Sequence, residues 1–144
     1  ADSNDDIYCT GRAYHGLSAC CTELCFWGPL LPLIMKSNSQ MLFEKLNRAD
    51  SLIPRMVGLL GRKHLSQDEA MWFTQCSGIH TWFMKISIDC VFVDSTGKII
   101  KIYHHIKPWR FAGPVWKATD AIEMAAGMAK LKNLQVGDII ECGP

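Results

Sequence analysis

The stretch KISIDCVFVDSTGKIIKIY, residues 85–103, constrains the fold more than any other part of the chain. Two runs of β-branched and aromatic residues flank the loop DSTG, where Gly97 can supply the positive φ of a tight turn. In the first run Ile86, Ile88, Cys90 and Phe92 alternate with Ser87, Asp89, Val91 and Val93. Successive strand side chains point to opposite faces, so the first set is expected to face a core and the second the other side. The sequence therefore predicts an antiparallel hairpin with strands over 86–93 and 98–103.

Other elements surround this hairpin. QMLFEKLN alternates like a strand, MWFTQ reads as a short buried one, and QVGDIIEC as a turn and a last strand. Between them, Asp50 or Ser51 can cap a helix over 52–60, with Pro54 in its first turn and Gly61 at its end. Leu52, Ile53, Met56, Val57 and Leu60 line one face of that helix. KPWRFAGP is a proline-bounded loop. By propensity TDAIEMAAGMAKLKNL is helical throughout, capped by Thr119 or Asp120, with Gly127 the one local objection.

A chain of 144 residues with 49% hydrophobic residues supports one domain with one core. Residues 1–34 lack this regularity. Their apolar run CFWGPLLPLIM is broken by Pro29 and Pro32, is too short to span a membrane, and follows no basic segment. The character changes at MKSNSQ. We expect residues 1–34 to be a Cys-rich extension, a leader or a segment foreign to the domain, with translation starting at Met35. Residues 35–144 are then the single domain. Four cysteines crowd the extension, while Cys76, Cys90 and Cys142 are scattered. An odd total of seven and the lack of paired C-x-x-C spacing favour reduced thiols in a cytoplasmic protein over a disulfide framework or a zinc site. The net charge of +1 gives no bulk attraction to nucleic acid or membrane.

The motifs GLLGRKHLSQDEAMWF, IHTWFMKISIDCVFVDSTGKII, PWR and AIEMAAGMAKLKNLQVGDII occur in this order. In that order the chain resembles, over about residues 41–141, the prokaryotic family known as domain of unknown function 192. The resemblance implies an α+β fold, mainly antiparallel β: a compact β-sandwich or half-barrel with one or two short helices packed on it. It implies that AIEM is a strand and that the helix begins at AAGMAKLK, against propensity. It carries no established activity. The family's polar signature positions match His80, Lys85, Asp89, Trp109, Arg110, Glu123, Gly137 and Asp138. The chain departs from the pattern at Thr119 and Asp120, where many relatives carry an Arg.

These residues define a candidate ligand site of His80, Lys85, Asp89, Trp109, Arg110 and Glu123, each of which has a structural reading beside it. His80 sits in an apolar flank and can be a satisfied structural histidine. Lys85 and Asp89, four apart, would share one strand face, which a solvated sheet also explains. Cys90 alternates with core residues, and Asp94 and Asp138 sit beside turn glycines. His104 and His105 are adjacent, so on a strand they point to opposite sides and cannot chelate together. From Lys98 to Lys117 the chain holds Lys98, Lys101, Lys107, Arg110 and Lys117 with no acid, interleaved with Tyr103, Trp109, Phe111 and Trp116.

The favoured reading is a non-catalytic binding or accessory domain for a small anionic ligand, without metal or cofactor. One alternative is an enzyme using His80 and a carboxylate as acid and base. Another is a binder of nucleic acid or an acidic partner through the basic, aromatic hairpin 98–117. No nucleophile triad, phosphate loop or dinucleotide fingerprint is present.

Overall fold

A computed structural model describes residues 31–36, 40–49 and 59–142 of the chain. Seven strands form one curled sheet in the order β6-β5-β8-β3-β2-β1-β9. They are β1 Leu31–Met35, β2 Gln40–Ala49, β3 Glu69–Phe73, β5 Ile88–Val93, β6 Ile99–Ile106, β8 Asp120–Ala125 and β9 Ile140–Cys142. All neighbours are antiparallel except β2 and β3. Two further strands, β4 Ile79–His80 and β7 Phe111–Ala112, pair separately. The helix α1 is a single turn, Met128–Leu131. The mainly antiparallel half-barrel with a short helix matches the sequence expectation.

The hairpin over β5 and β6 forms as expected, and the register places Ile88, Cys90 and Phe92 on one buried face. The opposite face differs from expectation: Asp89, Val91 and Val93 are buried too. The reason is position, since β5 lies between β6 and β8 and the curled sheet is covered on both sides. One core holds Val91 and Val93 with Trp72, Ile122, Met124 and the helix residues Met128 and Ala129. The other holds Ile88, Cys90 and Phe92 with Met71, Phe73 and residues of the small β4–β7 pair.

AIEM is a strand, so packing overrides its helix propensity. Gly127, at φ 88, turns the chain out of β8 and into α1. Asp120 is buried, and its carboxyl accepts a hydrogen bond from Trp72 Nε1 at 2.8 Å and from the Gln75 amide at 3.1 Å. The departure from the family pattern at this position is therefore a structural one here, with the acid spent on a core indole rather than on a surface site. The strand β1 opens upstream of Met35, and Leu33 packs into the core. The helix expected over 52–60 falls outside the described residues except at its end, where Leu59 is buried and Leu60 exposed in a turn. Cys90 is a buried free thiol, and the Cys76 thiol donates to the Gly78 carbonyl.

The sheet's two edge strands meet at one end. Ile99 N–H donates to the Asp138 carbonyl at 2.8 Å, Gly137 N–H to Ile99 at 2.9 Å, and Ile140 N–H to Gly97 at 3.0 Å. These bonds occupy backbone groups that an open edge would leave free. Asp94 shapes the loop before them, accepting from the Thr96 amide and hydroxyl and from the Lys98 amide. Gly97, at φ 79, is where the turn touches β9, and a Cβ there would run into the Ile140 carbonyl oxygen. Gly97→Ala is expected to cost about 2–4 kcal/mol, from left-handed strain plus displacement of the closing contact. Chemical denaturation measures it; a cost under about 0.5 kcal/mol would mean the sheet closes without this turn.

Candidate functional site

Residues 76–87 and 107–119 form a flap over one face of the sheet. Its inner side is apolar: Ile79, Met84 and Ala112 pack on the core that contains Cys90 and Met71. Its two segments run together through Val115 N–H to Ser77 O, the β4–β7 pair, and Thr81 N–H to Arg110 O, all main-chain bonds near 2.8 Å. Thr81 is fully buried and acts as the peg. Its hydroxyl donates to the Lys107 carbonyl at 2.7 Å and accepts from the Arg110 amide at 2.9 Å, while its carbonyl accepts from the Trp109 amide at 3.0 Å.

The outer side is aromatic and basic. His80 and Phe111 are cross-strand partners, and His80 stacks on Trp82 with ring centroids 5.1 Å apart. Phe83 and Trp109 pack edge to face at 4.7 Å. Both hold left-handed backbone, φ 62 and φ 61, yet they are 66% and 56% exposed. Trp116 is 86% exposed. Lys85, Lys107, Arg110 and Lys117 are exposed, and none of these four makes an ion pair with a described residue. The flap segments contain no Asp or Glu between 77 and 87 or between 107 and 117. The Arg110 guanidinium folds back to donate to the Trp109 carbonyl at 3.0 Å.

His80, Trp109 and Arg110 thus sit on one flap. Lys85 lies near the end of the flap's first segment, in a bend before β5, so it is not on a strand and does not share a strand face with Asp89. The two carboxyl groups of the expected site are separated from each other. Asp89 is opposite Met124 and Glu123 opposite Cys90 in neighbouring rungs of β5 and β8, so they point to opposite faces of the sheet. Glu123 lies on the face that the flap covers, beneath an apolar layer, while His80 is on the flap's outer side. An acid–base pair of His80 with either carboxyl has no support in this arrangement.

Asp89 reaches a place that the sequence concealed. Ile88 pairs with Ile106 and Cys90 with Tyr103, so one residue of β5 faces two of β6, which is a β-bulge. The extra residue is His105, at φ 51. The bulge cancels the alternation expected for adjacent histidines. The Nδ1 atoms of His104 and His105 lie 3.8 and 3.9 Å from the two oxygens of the same Asp89 carboxyl. That carboxyl is fully buried and accepts the amides of His105 at 2.8 Å and Ala129 at 3.0 Å. A cavity of about 310 Å³ opens beside it, lined by His104, His105, Gly127, Lys130, Asn133, Leu134 and Gln135. No sequence pattern marks this site, because a bulge is a mismatch of strand lengths and not a motif.

Burial pushes the Glu123 carboxyl from 4.5 up to about 8. The Cys90 thiol is pushed up by the same burial and then by Glu123, Cys76 and Asp89, so it stays protonated and behaves as core. For Glu123 the native state keeps a proton that the unfolded chain releases, so stability is full below about pH 4.5 and falls as pH rises toward 8. The slope approaches 1.4 kcal/mol per pH unit, about. Glu123→Gln is expected to match the parent near pH 4.5 and to exceed it by a few kcal/mol at pH 8, on the order of 3–4. Urea melts at the two pH values test this; an equal difference at both would show that Glu123 ionises freely in the fold.

Comparison with known proteins agrees with this architecture. Residues 33–142 match the family DUF192, described as "Uncharacterized ACR, COG1430". A UPF0127 protein of Thermococcus sibiricus is 30% identical over 115 residues, covering 76% of this chain and 73% of its own. One of Pyrococcus abyssi is 31% identical over 115 residues, covering 76% and 95%. A solved structure of a protein of unknown function from Novosphingobium aromaticivorans superposes with a TM-score of 0.68 at 20% identity, covering 76% of this chain and 83% of that one. A second, from Sinorhizobium meliloti, gives 0.67 at 23% identity, covering 78% and 91%. Over nearly all its described strands the chain therefore belongs to the DUF192 family.

Proposed function

We propose that the domain is a non-catalytic binding module that takes a small anionic ligand bearing a planar ring on the outer side of its flap. The observation that carries this reading is the pair Phe83 and Trp109, held exposed in left-handed backbone beside cations that lack acidic partners. Left-handed backbone costs a non-glycine residue about 1 kcal/mol or more, and exposing large aromatics gains nothing from burial. Such strain persists where the presented side chains are used. Trp82, Phe83 and Trp109 offer faces and edges for stacking. Lys85 and Arg110 offer charge, and the guanidinium is suited to a carboxylate or phosphate once it leaves the Trp109 carbonyl.

The exposed aromatics and cations along both flap segments favour a second reading: an extended anion such as single-stranded nucleic acid, stacked on the same aromatics. The free thiol of Cys90 supports a reducing, cytoplasmic setting for either ligand. Among the described residues no helix is long and apolar enough to cross a membrane.

Tryptophan fluorescence separates the readings. Titration with adenosine monophosphate is expected to quench the exposed Trp82, Trp109 and Trp116, with saturation. Arg110→Ala should weaken the binding about tenfold, the loss of one charge-assisted contact. A quench by a twelve-base oligonucleotide but not by the mononucleotide, with affinity falling steeply in salt, would select the extended ligand. Unchanged fluorescence with both would remove the flap from ligand binding.

A further inference from the structure

We propose that the cavity beside the β6 bulge is a second, separate binding site for a small tetrahedral oxyanion of the phosphate type, occupied when His104 and His105 carry protons. The rim is built from hydrogen-bond donors on three segments. His104 and His105 come from β6, Lys130 from α1, and Asn133 and Gln135 from the loop after it. A tetrahedral anion, with acceptors in every direction, fits donors that converge from several sides. The volume of about 310 Å³ lies within the range of small-ligand sites.

Among the described residues, the carboxyl beside this rim does not oppose the anion directly. Asp89 is fully buried, and each of its oxygens already accepts a backbone amide. It lies behind the two imidazoles, near enough to stabilise a positive charge on either and too far for a hydrogen bond at 3.8 and 3.9 Å. The charged groups facing the histidines are Asp89 from β5 and Lys130 from α1. Among the described residues lining the cavity no other group carries charge. With neutral imidazoles, Lys130 and Asp89 cancel. Each proton taken up by a histidine adds one positive charge to the site. His105 belongs to the bulge, and its left-handed backbone is what turns the second imidazole toward the same carboxyl as the first. A regular strand would have sent one of the two to the other face.

Sulfate tests this directly, because it remains a dianion throughout the range and only the protein titrates. Isothermal titration of the full chain at constant ionic strength is expected to give affinity at least tenfold higher at pH 5.5 than at pH 8. The double substitution His104→Gln, His105→Asn should abolish that pH dependence. Asparagine tolerates left-handed backbone, and both side chains are more than half exposed, so the fold is retained. Lys130→Gln should lower affinity about fivefold at both pH values. Inorganic phosphate at pH 6 should compete with sulfate, while acetate should not. The double variant should keep the fluorescence response to mononucleotide at the flap, so failure of one site is distinguishable from failure of the other. Affinity that is independent of pH, or binding that survives the double substitution, would overturn the proposal. Absence of any sulfate binding at pH 5.5 would overturn it as well.

Discussion

A single buried carboxyl organises the most irregular part of this fold. Asp89 stands in β5, flanked by β6 and β8, where a buried charge without partners would cost several kcal/mol, on the order of 3–5. Its two amide partners come from different elements, the bulge of β6 and the first turn of α1. The helix is one turn long and could not persist alone in water. It is held by the buried side chains of Met128 and Ala129 and by the bond from the Ala129 amide to Asp89. The same carboxyl fixes the bulge that turns the chain's adjacent histidines to one side. Helix position, strand irregularity and the cavity between them are thus consequences of one interaction.

Part of the chain's negative charge lies inside the fold. Asp89, Asp120 and Glu123 are all inside, each on a strand. Asp89 is satisfied by backbone amides and Asp120 by an indole and an amide. Glu123 is relieved by retaining a proton. The cations of the flap are all outside. A near-neutral chain therefore presents a basic outer flap without any excess of basic residues, because part of its negative charge is withdrawn into the core. Net charge computed over the sequence hides this separation, which is why composition alone argued against anionic partners.

Legibility in the sequence followed locality. The β5–β6 hairpin was readable because alternation and a turn glycine act over a few residues, and Ile88, Cys90 and Phe92 face the core as that pattern requires. The strand at AIEM was not readable from propensity and came only through resemblance, since burial against β3 and β5 decides it. Grouping of the site was legible in part. His80, Trp109 and Arg110 share the flap, but Asp89 and Glu123 are divided by the pleat, a relation that depends on strand pairing across more than thirty residues. The convergence of His104 and His105 was invisible because it contradicts the period on which strand reading rests.

The buried Thr81 has a consequence for how freely this surface can vary. Its hydroxyl and main chain secure the flap through the backbone of Lys107, Trp109 and Arg110, not through their side chains. The anchoring is therefore indifferent to what those positions present outward. Substitutions at His80, Trp82, Phe83, Trp109 or Arg110 can change what the flap presents outward while the scaffold beneath is left alone. A single threonine buried beneath the flap is what makes the surface above it exchangeable.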